Sequence, residues 1–267
     1  MLNLRPTPTA DAQQSYGALR FVLLDRLGAV RPSHGGSVVL FPLTAQTMGV
    51  ELPGAWLDVV STTAPVSAIQ VLGASAVLRL LVDDASLYVA ETRGEERPGG
   101  DDRFLVPSAR LLRRVGPLSA RVNRVFAVDC ARSMIHHVAE KRRPVAEMAL
   151  QVAESYARGN LRRSDLETHQ GRVLDAMRRI ETQAEDLALS AVASALTYGA
   201  DPTAPYGSEA ACGWTAARAA SADAASLAGT LQHRQHRGPM DFLAGQQAER
   251  ERQFARLLTI MARENAA

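Results

Sequence analysis

Cysteine is nearly absent. Cys130 and Cys212 are the only two in 267 residues, so no disulfide framework is available and a reducing cytoplasm is the expected compartment. Aromatic residues make up only 5%, which leaves few rings to stack bases and disfavours a single-stranded nucleic-acid binder. No apolar run approaches the roughly 20 residues that span a bilayer. The first eight residues lack the basic and apolar segments of a signal peptide. Neither sign of charge prevails: 30 basic residues against 28 acidic ones leave +2, well short of a strongly basic protein. Lysine is missing apart from Lys141, every other basic residue being arginine.

Several catalytic patterns are missing as well. There is no G-x-x-x-x-G-K-S/T loop, no G-x-G-x-x-G after a strand and no G-x-S-x-G. His136-His137 with Glu140 is not H-E-x-x-H, in which two histidines stand four apart, and His233 with His236 has no third ligand placed by sequence. The carboxylate pairs Asp83-Asp84 and Asp101-Asp102 read as turn residues that bond their own backbone. No catalytic residue, metal or cofactor is therefore expected.

What is present is a folded chain: 46% hydrophobic and 22% charged, long enough for two domains. The fold expected is α+β, a small antiparallel sheet domain over 1–118 followed by an all-α bundle over 119–267. In the first part, Pro6 and Pro8 mark an extended arm. Tyr16, Leu19, Leu23 and Leu27 suggest a helix over Gln14–Leu27. Apolar, β-branched runs at Ser37–Phe41, Trp56–Thr62, Val66–Leu72, Ala76–Val82 and Ser86–Glu91 predict strands, the last two joined by a hairpin at Asp83-Asp84-Ala85. Arg93–Arg103, with Pro98-Gly99-Gly100, reads as a loop and Pro107–Val115 as a short helix.

Helical spacing dominates the second part. Phe126, Cys130, Met134 and Val138 line one apolar face of a helix, with Asp129, Arg132, His136 and Glu140 as a polar stripe opposite. Val145, Met148, Val152 and Tyr156 recur in the next helix, which Pro144 opens and Gly159 closes. Ser164 with Glu167 suggests a capping box opening a long helix that reaches about Tyr198. Alanine-rich helices follow over Ser208–His236, and Asp241 is placed to cap a last helix carrying Phe254, Leu257, Leu258 and Met261. Five helices in one bundle are expected.

Ala127-Val128-Asp129-Cys130-Ala131, then Arg143-Pro144, then Ala153-Glu154-Ser155-Tyr156-Ala157-Arg158-Gly159 resemble the immunity proteins of bacterial polymorphic-toxin systems. The alanine-rich Trp214–Ala220 and the closing Glu251-Arg252-Gln253-Phe254 are similar too. Arg132 departs from that pattern, standing where an acidic residue is usual. The resemblance covers about 120–265 and implies a non-enzymatic protein that binds another protein, such as a toxin; from the composition, no membrane association is expected. Asp129, Arg132, His136 and Glu140 are the candidate partner-binding residues. The alternative is a nucleic-acid-associated factor gripping phosphates with Arg110, Arg113, Arg114, Arg121 and Arg124 near the junction.

Overall fold

The computed structural model describes residues 20–24, 56–58, 69–81, 85–197, 215–226 and 239–266. The expected arm, the run Ser37–Phe41, the residues Asp83 and Asp84, and the histidines His233 and His236 lie outside them. Among the described residues the N-terminal part forms an antiparallel sheet of seven strands, one of them only two residues long. These are β1 (Arg20–Leu24), β2 (Leu57–Asp58), β3 (Ile69–Leu72), β4 (Ala85–Arg93), β5 (Arg97–Gly100), β6 (Arg103–Val106) and β7 (Ser108–Leu118). They lie in the order β2-β7-β4-β1-β3-β6-β5. A short helix, α1 (Ala74–Arg79), joins β3 to β4.

Four expectations are corrected here. Arg20–Leu24, expected in a helix, is a strand paired with β4 over its whole length, Phe21 opposite Val89 and Leu23 opposite Leu87. Its run is apolar without alternation because both faces are buried, which makes strand and helix hard to tell apart from periodicity. Phe21 and Leu23 enter the core shared with the helices, whereas Val22 and Leu24 join Ile69, Val71, Tyr88 and Leu111 on the opposite face. Ala76–Val82, expected as a strand, instead contributes to α1, whose Ala76, Val77 and Leu78 are buried.

Arg93–Arg103, expected as a loop, contains the last residue of β4, all of β5 and the start of β6. Every residue of β5 is exposed, so this edge strand offers no apolar alternation to read. Asp101 and Asp102 turn the hairpin at φ 53° and 61°, a conformation that aspartate tolerates better than most residues. Asp102 also reaches across to α1, where its carboxylate accepts the Ser75 N–H at 2.9 Å, worth about 1 kcal/mol as a helix cap. Pro107–Val115, expected as a helix, belongs mostly to β7, whose pairing with β4 shifts twice and so disrupts the strand alternation.

Among the described residues six helices follow: α2 (Ala120–Ser133), α3 (Arg143–Ala157), α4 (Arg163–Ala176), α5 (Gln183–Ala195), α6 (215–226) and α7 (Pro239–Glu264). The α+β arrangement of sheet followed by helical region is as expected, but the helix count differs. The long helix expected from Ser164 is two, broken by a 3-10 turn at Met177–Arg179 and restarted where Thr182 Oγ1 accepts the Glu185 N–H. The cap of α4 also lies earlier: the Asp165 carboxylate accepts the Arg162 N–H at 2.9 Å, and Ser164 is already helical. Gly159, at φ 80°, follows α3 as expected. Asp241 lies inside α7 rather than at its start.

Buried residues from the two parts form one continuous cluster, running from Phe21 and Leu87 through Phe126 and Leu189 to Phe254 and Met261. The join is made by α7, which packs on α1, α2 and β7. At its centre the rings of Phe21 and Phe254 meet edge to face, 4.8 Å between centroids. No helix among the described residues is long and apolar enough to cross a membrane.

Candidate functional site

The polar stripe of α2 does not continue as one helix face. α2 ends at Ser133, and Ile135–His137 form a 3-10 turn. Glu185 explains the arrest: its buried carboxylate accepts the Ala139 N–H and an Arg142 guanidinium N–H, each at 2.9 Å, and so fixes the turn. His136 is exposed within the 3-10 turn, and Glu140 is exposed just beyond it. The single helix face expected over these four residues therefore ends with Asp129 and Arg132, a correction caused by the helix stopping at Ser133.

Asp129 and Arg132 stay together at a cleft of about 330 Å³ between α2, α3 and α7. Val125, Val128, Ala255 and Ile260 supply its apolar lining, and Asp129, Arg132, Glu154, Arg256, Thr259 and Arg263 its polar one. Arg132 donates to Glu154 at 2.7 Å, and Arg158 donates to the other oxygen of the same carboxylate at 2.5 Å. Above all, the Arg132 hydrogen bond holds the Glu154 carboxyl below the usual range, partly offset by burial. Asp129 Oδ2 is shielded from solvent and makes no hydrogen bond among the described residues, with Arg256 Nε 3.7 Å away.

From this cleft a chain of charges runs inward. Arg256 Nη1 lies 3.8 Å from Glu249, a residue 1% exposed, and Glu249 forms an ion pair with Arg252 Nε at 2.9 Å. Arg252 Nη2 donates to Asp223 Oδ2 of α6 at 2.5 Å, and Asp223 Oδ1 faces His137 Nε2 at 3.9 Å. His136 stacks against His137, ring centroids 3.9 Å apart. Burial, with His136 adding to it, lowers the His137 pKa and so favours its neutral imidazole, although Asp223 pulls the other way.

Burial raises the Glu249 carboxyl pKa, and Arg252 and Arg256 only partly reverse it. A carboxyl raised on folding contributes stability below its unfolded pKa, and that contribution is lost as pH rises through the folded value. Glu249→Gln does not titrate. Its stability relative to the native chain is therefore expected to improve as pH rises from about 4 to 7. Thermal midpoints of both proteins across that range check this; a flat difference, or one running the other way, would show that the arginine pairs outweigh burial.

The five arginines of the nucleic-acid alternative are not gathered into one groove. Arg110, Arg113 and Arg114 stand on β7 and Arg121 and Arg124 on α2, with Arg110 about 26 Å of extended strand from the β7–α2 junction. Arg110 pairs with Glu91 at 2.6 Å, Arg121 with Glu264 at 2.7 Å, Arg114 donates to Ser86 Oγ, and Arg124 lies over the Tyr156 ring. Arg113 is exposed.

Glu154, Asp223, Glu249, Arg252, Arg256 and Arg263 were not singled out as site residues from the sequence. Glu249, Arg252, Arg256 and Arg263 do follow one another at helical steps of three, four and seven, a stripe beside Phe254 and Leu257 that could have been read. Nothing local signals that Asp223 meets His137. Compared with known protein families, with curated proteins and with solved structures, the chain shows no match.

Proposed function

We propose that this chain is a non-enzymatic protein-binding factor that engages its partner through the α2/α3/α7 cleft. One observation carries the reading: Asp129 and Arg132, chosen from the sequence as partner-binding residues, line a cleft together with Arg256 and Arg263 and an apolar lining. A cleft of that size takes one or two side chains of a partner, the kind of central anchor that dominates interface energetics. Three arginines against two carboxylates favour an anchor with an apolar stem and an acidic tip. The surrounding surface would have to raise total burial to at least about 1,200 Å². Glu154, held ionised by Arg132, is poorly suited to general acid–base work at neutral pH.

The resemblance to immunity proteins makes a toxin the first partner to test, and the cleft is where it would dock. Nucleic-acid association draws less support, because Arg110 and Arg121 are each engaged by a carboxylate. Affinity capture from nuclease-treated lysate of the source organism tests the reading, with native protein and an Arg132→Glu/Arg263→Glu variant as baits. Both residues are largely exposed, so the variant should fold. One stoichiometric protein retained at high salt by the native bait and lost by the variant is the expected result. Equal retention by both baits, or salt-sensitive nucleic acid as the only species bound from untreated lysate, would overturn it.

A further inference from the structure

We propose that His136, His137 and Asp223 form a binding site for a divalent transition-metal ion of the zinc class. One donor atom from each lies within 4.8 Å of the other two. Two imidazoles and a carboxylate are a donor set suited to zinc, and three protein ligands leave a fourth position for water. The sequence offers no second histidine one turn away on the same helix, and the third donor comes instead from α6, far along the chain.

A second observation points to a ligand. The His137 side chain is only 10% exposed, and its Nε2 is buried without a hydrogen-bond partner among the described residues. At 3.9 Å from Asp223 Oδ1 it is too distant for a hydrogen bond yet aimed at that oxygen. A buried ring nitrogen in this state is costly, and a cation held between the two groups removes the cost. Asp223 is already oriented for the task, since Arg252 occupies Oδ2 and leaves Oδ1 toward the histidines. Such outer hydrogen bonds commonly position metal-binding carboxylates.

Charge and geometry set the remaining conditions. Arg252 faces the site as a cation, but Glu249 pairs with it, as it does more loosely with Arg256. Bonds of about 2.0–2.1 Å to a tetrahedral ion place neighbouring donors about 3.3–3.4 Å apart, so the His137–Asp223 spacing must close by about 0.5 Å and the widest spacing by up to about 1.4 Å. The ring of His136 is exposed, so solvent rather than the core borders most of it as it moves. An ion there would tie the turn after α2 to α6, whose buried side chains are small: Ala216, Ala219, Ala220, Ala222 and Ala224.

The test is zinc titration of the metal-stripped full chain by calorimetry, with cobalt substitution to read the donors from its visible spectrum. Native protein, His136→Gln and Asp223→Asn are compared, and His169→Ala serves as control. One equivalent of zinc, a tetrahedral cobalt spectrum and affinity reduced at least tenfold in both site variants, with the control unchanged, is the expected result. His136 is exposed, so His136→Gln decides alone should circular dichroism show Asp223→Asn misfolded. Uptake below about a fifth of an equivalent overturns the site. So does affinity that a folded site variant leaves unchanged, or binding abolished only by His233→Ala/His236→Ala.

Discussion

Glu185→Ala is expected to destabilise the protein by about 3–5 kcal/mol, a large fraction of the stability of a typical domain. The Glu185 and Arg142 side chains are 4% and 9% exposed and meet at 2.9 Å. Removing the carboxylate takes from the buried guanidinium the anion it meets at 2.9 Å, and breaking a buried ion pair from one side costs far more than the intact pair contributes. It also leaves the Ala139 N–H without the oxygen it donates to, adding the cost of an unmet backbone group. Arg142→Met should be comparably severe, since it strands the carboxylate instead. The double variant Arg142→Met/Glu185→Ala should lose less than the sum of the single losses, by about 0.5–3 kcal/mol. Urea unfolding followed by circular dichroism measures all three. A loss for Glu185→Ala within about 0.5 kcal/mol, as for a surface substitution, would contradict the burial on which the prediction rests.

Phe254→Ala should cost about 3–5 kcal/mol, with the loss of an edge-to-face pair contributing about 0.5–1.5 kcal/mol of it. Phe254 is fully buried, and its partner Phe21 sits on the strand at the middle of the sheet. The cavity opens where α7 bridges sheet and helices, so both should weaken together. Hydrogen exchange gives the readout. Amides of β1 and β4 should lose protection by the same factor as those of α2, and Phe254→Leu should restore most of it. Protection lost in the helices but kept in the sheet would mean that 1–118 and 119–267 unfold as separate units, despite the continuous core.

How much of this was legible depended on burial. Helices with one wet face announced themselves: Phe126 and Cys130 on α2, or Phe254, Leu257 and Met261 on α7, are buried as their spacing predicts. Segments buried on two faces did not. Arg20–Leu24 and Ala76–Leu81 are apolar runs whose period is erased by burial on more than one side, and their helix and strand assignments were exchanged. The exposed strand β5 failed for the opposite reason, having no apolar face at all. Thr182 and Glu185 carry the same cap spacing as Ser164 and Glu167, yet only the latter was taken as a helix start. The buried carboxylate also has a tertiary task, since Glu185 holds the distant Arg142 and Ala139.

The candidate site divides along similar lines. Asp129 and Arg132 could be paired from one turn of α2, because helix geometry alone brings them near. His136 and Glu140 were grouped with them on the premise of a continuous helix, which the contact between Glu185 and Ala139 breaks. Asp223 could not be joined to His137 by any local rule, since α6 reaches that position only through packing.

The position of α7 bears on how fast this protein can fold. Arg250 of α7 donates to Ser75 of α1, 175 residues earlier, and Phe254 of the same helix covers β1. Folding rates fall as contacts span longer stretches of chain, because loop closure precedes any gain from the contact. Until α7 docks, Phe21, Val77 and Phe126 lack part of their cover, so slow refolding with transiently exposed apolar surface follows from the topology.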